Sequence, residues 1–420
     1  MPTQWWQSLH DTQLDNLIEE ALGNNFTIRS AWDRLAQTEQ IAVKTGADLL
    51  PQIDYKGTAE RKRQETAGIK TYSSNYTTSL VLSYEIDLWG KIRSSQQAAI
   101  MDAEAAKQDI ATAEITLTSN IAKTWYQLAE LKEKDAVLNR QINTNRKVLD
   151  IITTRFRQGL TGASDVYRQK QLVEATQGKI IQNHENIVLL QHKLSVLLGR
   201  PPSIYWLDDS ITLIDLPPFP QTGIPSSVIQ RRPDVISEYK TIQAADMRVA
   251  AAIADQYPTI SISSTAETSA DRVSDLFDDW LANLAGNAIG PLFDADLRKA
   301  ELKRTQAVLS QAINDYAQAI LEAIKETENA VNQEKYQLKY LNNLRTQLVL
   351  SRQVYKRTKQ SYIKGQLDYL RVLDALSSQQ NLEINVLNAR RFLIERRIDL
   401  YKAIAGSWDM KRPEPAKINK

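Results

Sequence analysis

Side chains that ligate metals or attack substrates are scarce in this 420-residue chain. Cysteine is absent, and histidine occurs only at His10, His184 and His192. Without thiols there is no thiolate metal site, disulfide framework or cysteine nucleophile. The three histidines lie on polar segments, where surface positions account for them. Carboxylates and basic residues are plentiful, 50 Asp+Glu against 52 Lys+Arg. They recur on helix-like stretches, where solvated i,i+4 pairs are the default. No base–nucleophile pair or ligand cluster has usable spacing. The residues thus predict no enzyme and no metal or other cofactor. A net charge of +2 with both signs interspersed gives no basic footprint for nucleic acid either.

Long helical elements dominate instead. Glycine contributes only 14 residues and proline 13, as expected of a mostly helical chain. From Lys91 to Gln158 neither occurs, which predicts a helix of roughly 68 residues and about 100 Å. Its apolar residues Leu128, Leu131, Leu138, Ile142, Leu149, Ile152 and Phe156 step by threes and fours, with Asp135 and Asn145 at polar steps, a coiled-coil-like seam. Leu9–Leu49 reads as one helix ending before Pro51. Gly159-Leu160-Thr161-Gly162 breaks the long helix, and Asp165–Leu198 runs back. The order recurs about 206 residues later: Leu292–Lys364 is uninterrupted, Gly365 breaks it, and a return helix reaches Ala405. Leu50-Pro51-Gln52-Ile53 aligns with Tyr257-Pro258-Thr259-Ile260, and Phe156-Arg157-Gln158-Gly159 with Tyr362-Ile363-Lys364-Gly365. The chain therefore divides into a first repeat, 1–199, a linker, 200–225, holding six prolines, a second repeat, 226–408, and a polar tail, 409–420, expected to be disordered. Each long helix needs partners of matching height, so two shorter helices stacked end to end are expected beside it.

Between the helices lie strand-like segments. In Tyr76–Leu88, Tyr76, Leu80, Leu82, Tyr84, Ile86 and Leu88 alternate with mostly polar residues, Thr78 and Val81 being exceptions. Ile53, Tyr55, Gly57 and Ala59 alternate likewise, as do Ile260, Ile262 and Ala266; Trp280–Leu292 alternates less cleanly. No apolar run approaches the roughly 18 residues of a spanning helix, and mean hydropathy is −0.40. A soluble sheet would need a cover for its apolar face, yet the long helices begin directly after the strands. Strands of about ten residues suit a membrane barrel. Four cannot close one, and open edges are not tolerated in lipid, so two, three or four copies would supply 8, 12 or 16 strands. Tyr55, Tyr76, Tyr84, Trp89 and Trp280 would suit interfacial belts. The start, Met1 to Trp6, lacks a charged n-region and an apolar core, and reads as a cytosolic protein or a trimmed mature form.

Several segments resemble a known family. They are Trp5-Trp6, Leu14-Asp15-Asn16-Leu17-Ile18, Tyr84 to Arg93 with its Glu-Ile-Asp-Leu-Trp-Gly core, Gln230-Arg231-Arg232-Pro233-Asp234-Val235, and Gly290-Pro291-Leu292-Phe293-Asp294. Together they are similar to the TolC-like outer-membrane factors, in the OprM/CusC/NodT-type lipoprotein branch. The resemblance implies a mainly α fold with a small β part. Three copies would build a periplasmic α-barrel and a 12-stranded transmembrane β-barrel in outer-membrane lipid, four strands per chain. It further implies a passive exit duct that docks with a periplasmic adaptor and an inner-membrane pump. An outer channel for type I protein secretion is the alternative within the family; a soluble coiled-coil scaffold is the alternative outside it.

The resemblance also assigns roles to residues. The turns Gly159, Leu160, Thr161, Gly162 and Gly365, Gln366, Leu367 would form the adaptor-facing tip. Asp165 and Tyr362 match latch partners, while the latch arginine is replaced by Leu367. Leu370 matches an apolar constriction, Asp374 an aperture aspartate, and Arg371 stands where the other aspartate is expected. Two further departures stand out. The lipidated cysteine of the branch is missing, which leaves anchoring by the barrel alone or an altered N-terminus. Ala295 and Asp296 replace the paired glycines that often follow Leu-Phe-Asp, so a less sharply bent strand-to-helix junction is expected.

Overall fold

The computed structural model describes residues 4–202, 211–220, 229–405 and 412. Apart from Arg412, the tail 409–420 lies outside the described residues, as do 203–210 and 221–225 of the linker. The chain divides into two compact units: residues 1–31, 110–233 and 320–420, and residues 32–109 and 234–319.

The first unit holds the 3-10 turn Trp5–Leu9, helix α1 (Thr12–Asn24), the start of α2 (Phe26–Ala47), and most of α3 (Lys91–Arg157). It also contains α4 (Ala163–Leu197), the C-terminal part of α6 (Leu297–Ile363), and α7 (Tyr369–Ile404). Here α3 runs 67 residues without a break, close to its expected bounds. Leu128, Leu131, Leu138, Ile142 and Ile152 are buried on its seam, while Phe156 is exposed.

The helix expected over Leu9–Leu49 is in fact two, parted at Asn25. That residue is extended, with φ −66° and ψ 126°. Its Oδ1 accepts from the backbone N–H groups of Thr27 at 2.8 Å and Ile28 at 3.3 Å, the satisfaction an N-cap provides. Its Nδ2 donates to the Leu197 carbonyl at 2.8 Å. Beside it, Gly199 has φ +73°, and a Cβ there would stand 2.5 Å from the Asn24 carbonyl oxygen. The end of α4 can thus reach the α1–α2 break only through glycine.

The Trp5-Trp6 pair is core: both side chains are buried, and Trp5 lies 5.7 Å from Tyr401. Asp11 caps α1 through the Leu14 N–H and also accepts from Trp125 Nε1 at 2.8 Å and the Tyr126 hydroxyl at 3.2 Å. Burial, with Asp11 beside it, pushes the Tyr126 phenol well above its usual range and keeps it a donor. The described part of the linker is strapped down. Buried Arg397 donates to the carbonyls of Pro217 and Pro218 and forms a fork with the Glu334 carboxylate.

The second unit holds most of α2, the start of α3, α5 (Pro233–Ala254) from Asp234 onward, the start of α6 and four strands. These are β1 (Gln52–Thr66), β2 (Ile69–Ile86), β3 (Thr259–Ala270) and β4 (Trp280–Ile289), antiparallel in the order β1-β2-β3-β4. At 15 and 18 residues, β1 and β2 are longer than the ten or so expected. Their outer parts, Glu60–Thr66 against Ile69–Asn75, pair only with each other. Ala67 and Gly68 turn this ribbon with φ +52° and +81°, the two left-handed positions of a type I′ hairpin.

The second long helix begins at Leu297, not Leu292. Ala295 and Asp296 have φ +51° and +63°. The expectation of a gentler junction is therefore overturned: the backbone takes left-handed conformations that glycine favours, at a cost of roughly 1–2 kcal/mol for each side chain present.

Candidate functional site

Both inter-helix turns are built alike. After α3, Gly159 (φ +73°) donates to the Phe156 carbonyl and Leu160 to that of Arg155, both at 2.9 Å. After α6, Gly365 (φ +75°) donates to Tyr362 at 3.0 Å and Gln366 to Ser361 at 2.9 Å. Each is a Schellman cap, which needs a residue free to go left-handed where each glycine stands. The return helices start differently: Asp368 caps α7 by accepting from the Arg371 N–H at 3.2 Å, whereas Gly162 precedes α4 without a side-chain cap.

Val148, Ile152, Val166, Tyr362, Tyr369, Val372 and Leu376 form one apolar cluster below these turns. The expected latch pair is not joined. Thr161 Oγ1 donates to Asp165, and among the described residues the buried Tyr362 hydroxyl has no hydrogen-bond partner. Tyr362 instead packs beneath the Arg155 guanidinium, 4.8 Å from its ring, and beside Tyr369 at 5.7 Å. Leu370 and Asp374, one helical turn apart, are exposed with Arg371 on α7, away from the buried Tyr369, Val372 and Leu376. Leu160, Gln366 and Leu367 are exposed at the turns.

Sequence reasoning missed a buried polar ladder inside this bundle. Over the first part of α4 the buried positions are Val166, Gln169, Val173, Thr176, Ile180 and Asn183, a 3-4 spacing in which apolar and polar residues alternate. That alternation was legible, but polar residues at seam positions are easily read as solvated steps. Tyr369 donates its hydroxyl to Gln169 Oε1, and Gln169 Nε2 donates to the Asn145 carbonyl at 2.7 Å. Asn145 Nδ2 donates to Thr176 Oγ1 at 2.9 Å, while its Oδ1 accepts from Gln380 at 2.8 Å. Gln141 then donates to the Gln380 carbonyl and to Glu383, both at 3.0 Å. Burial, then the neighbouring tyrosines and Asp165, pushes the Tyr369 phenol well above its usual range, so it stays protonated and donates. Satisfied polar networks in a core select one register of packing. Here they fix α3, α4 and α7 against one another.

In the second unit the register sorts the sheet into two faces. Ile53, Leu82, Ser264 and Leu284 share one row, and Tyr55, Leu80, Ala266 and Ala282 the next. The opposite face carries Gln52, Ser83, Ser263 and Ala285, then Asp54, Val81, Thr265 and Asn283. The expected exceptions persist: Thr78 lies on the apolar face and Val81 on the polar one. One face is thus mainly apolar, the other polar, and Leu80, Trp280 and Leu284 are exposed.

The strand-to-helix junction explains the Glu-Ile-Asp-Leu-Trp-Gly segment. The Asp87 carboxylate accepts from the N–H groups of Ile92 and Arg93 and from Arg93 Nε, each at 3.0 Å. Burial opposes its charge, but these bonds and the Arg93 cation hold its pKa below the usual carboxylate range. Trp89 stacks on Tyr257 at 4.7 Å and donates to the Pro258 carbonyl at 2.8 Å, which fixes it at the junction. Asp255 bridges Lys91 at 2.6 Å and Arg298 at 3.2 Å, joining the starts of α3 and α6. Gly290 lies so close to Pro258 that a Cβ would meet its Cγ at 2.8 Å.

The family model for outer membrane efflux proteins matches residues 17–200 and 224–406. The chain is an outer membrane efflux protein. It is 28% identical to the pyoverdine export outer membrane protein OpmQ of Pseudomonas aeruginosa, over 97% of this chain and 88% of that protein. It is 27% identical to the cation efflux system protein CusC of Escherichia coli O6:H1, over 96% of this chain and 88% of that protein. The solved Campylobacter jejuni CmeC outer membrane channel has the same fold, with a TM-score of 0.91 at 21% identity, covering 98% of this chain and 89% of that one.

As an efflux protein of this family it is a channel of the bacterial outer membrane, and the family is not one of enzymes. Among the described residues no helix is long and apolar enough to cross a membrane. The Arg-Arg-Pro-Asp segment also has a structural part. Buried Arg232 donates to Glu326 at 2.8 Å and to the Ala403 carbonyl at 3.4 Å, holding the entry to the second repeat against α6 and α7.

Proposed function

We propose that three copies of this outer membrane efflux protein close into one duct, each supplying four strands to a 12-stranded barrel and four helical strands' worth of wall to a periplasmic tunnel. The observation that carries this reading is the sheet itself: a mainly apolar face, with β1 and β4 left as edges. In lipid such edges must be paired, and copies of the same sheet are the available partners. The helices support it. On α6, Ile324, Leu338 and Val349 lie within about 40° of one another at 3.6 residues per turn, and they are 39%, 48% and 53% exposed. An apolar stripe on so long a helix calls for a cover, and a second copy supplies one.

The opposite face of the sheet then lines the lumen with Ser, Thr, Asn and a few charges, a surface that passes polar cargo without binding it tightly. Leu370 and Asp374 project from α7 as the constriction, with Arg371 beside them. The turns at Gly159 to Gly162 and Gly365 to Leu367 present the surface for a periplasmic adaptor that couples the duct to an inner-membrane pump. Asp165 and Tyr362 act near this tip through Thr161 and the aromatic cluster, without a direct bond between them. Reconstitution in a planar bilayer tests the reading. The wild-type protein is expected to give a small conductance that rises when Leu370→Ala and Asp374→Ala are combined. Unchanged conductance sinks the constriction, and absence of any channel sinks the duct.

A further inference from the structure

The β1–β2 ribbon that rises past the other strands carries a further inference, which rests on the barrel reading above. Its turn lies at the end of the sheet away from the helices, and so on the outer side of the membrane. Residues facing lipid follow from the register. On the apolar face, rows run from Ile86 up to the Ala59–Tyr76 pair. Ten residues along β2 rise about 33 Å, or about 25 Å at a tilt near 40°, the height of the apolar band of such barrels. The next rows on that same face are Arg61 with Ser74, Arg63 with Tyr72, and Glu65 with Lys70. They stand about 5, 10 and 15 Å above the band by the same rise and tilt.

The lipid-facing surface therefore changes from apolar to cationic where headgroups begin. Arg63 lies 3.7 Å from Glu65 and 6.0 Å from the Tyr72 ring. Among the described residues Arg61 and Lys70 make no ion pair, so this face keeps an excess of positive charge after Glu65 is counted. Apart from the half-buried Ser74 the ribbon is exposed, and it has no buried core that these cations could serve. We propose that Arg61, Arg63 and Lys70 form a site for phosphate-bearing lipid headgroups of the outer leaflet. The two guanidinium forks offer bidentate donors, Lys70 a third charge, and Tyr72 an amphipathic face at headgroup level.

The test titrates the full-length protein in neutral detergent with diphosphorylated lipid A, with dephosphorylated lipid A, and with inorganic phosphate. Bound lipid and assembly mass are both read by native mass spectrometry. The wild type is expected to bind the diphosphorylated lipid selectively. The variant combining Arg61→Gln, Arg63→Gln and Lys70→Gln is expected to lose about fivefold in affinity per charge removed, roughly a hundredfold in all, at unchanged assembly mass. Equal binding of the two lipids, equal binding by the variant, or saturation by phosphate alone overturns the proposal. So does a variant that falls apart in lipid-free detergent, because the cations would then serve the acidic β3–β4 loop of an adjoining copy, with its Asp271, Asp275, Asp278 and Asp279. A wild type that is itself monomeric refutes the barrel reading instead.

Discussion

Removing a single oxygen atom from Tyr369 tests whether the buried ladder holds the duct shut. Tyr369 is 2% exposed, and its hydroxyl donates to Gln169, which is fully buried. Phenylalanine keeps the ring contact with Tyr362 and the apolar cluster, but leaves the Gln169 Oε1 buried without a donor. Such an orphaned acceptor costs about 1–2 kcal/mol. If opening swings α7 away from α4, water reaches Gln169 in the open state, and the loss falls on the closed state alone. Three copies then shift the balance by about 3–6 kcal/mol, at least a hundredfold in the open-to-closed ratio at 1.4 kcal/mol per tenfold. Single-channel recording of Tyr369→Phe in a planar bilayer reads this as a raised open probability. Gln169→Leu in the Tyr369→Phe background should add less than it does alone, because the two share one bond. An open probability within a factor of two of wild type, with normal trimer stability, would refute the idea that this ladder is broken on opening.

Three other outcomes follow from the structure. Arg397→Ala leaves the buried Glu334 carboxylate uncompensated at a cost of about 3–5 kcal/mol and frees the Pro217 and Pro218 carbonyls, so thermal stability should fall and chymotrypsin should cut the linker sooner. Replacing both Arg397 and Glu334 by leucine should recover much of the stability but not the protection. Ala295→Gly and Asp296→Gly should each leave stability unchanged or raise it by up to about 1 kcal/mol, since relief of a left-handed φ is partly offset by unfolded-chain entropy; a clear loss of thermal stability would contradict the strain. Burial raises the Glu130 pKa above 4.5, against the pull of Lys134 and Arg391. Its ionised form therefore costs folding free energy at neutral pH, and that cost disappears as pH falls through the raised value. Glu130→Gln should melt higher than wild type at pH 7, with the gap closing near pH 4; a gap that widens on acidification would reverse the sign.

The large elements were legible because their signals are local and long. An unbroken Gly- and Pro-free run marks α3 within a residue of its end, and alternation in Tyr76–Leu88 marks the apolar face of β2. Details that depend on contacts distant in sequence were not legible. The break at Asn25 exists because its amide also serves the end of α4, 172 residues away. The left-handed Ala295 and Asp296 show a junction keeping its geometry after losing its glycines. At the tip, the two glycine turns could be read from sequence because a Schellman cap needs glycine. The pairing of Tyr369 with Gln169, 200 residues apart, could not, since neither residue type announces its partner. The outer half of the β1–β2 ribbon was missed for another reason: Arg61, Lys62 and Arg63 interrupt the hydrophobic pattern, while hydrogen bonding across the hairpin continues regardless.

The central claim is that one chain makes only a third of a pore wall, and its mass in solution tests that most directly. Light scattering on the purified protein in a neutral detergent, corrected for bound detergent, should give three times 47.6 kDa, about 143 kDa, with precipitation once detergent is removed. A stable species of 47.6 kDa that stays dispersed in plain buffer would contradict it.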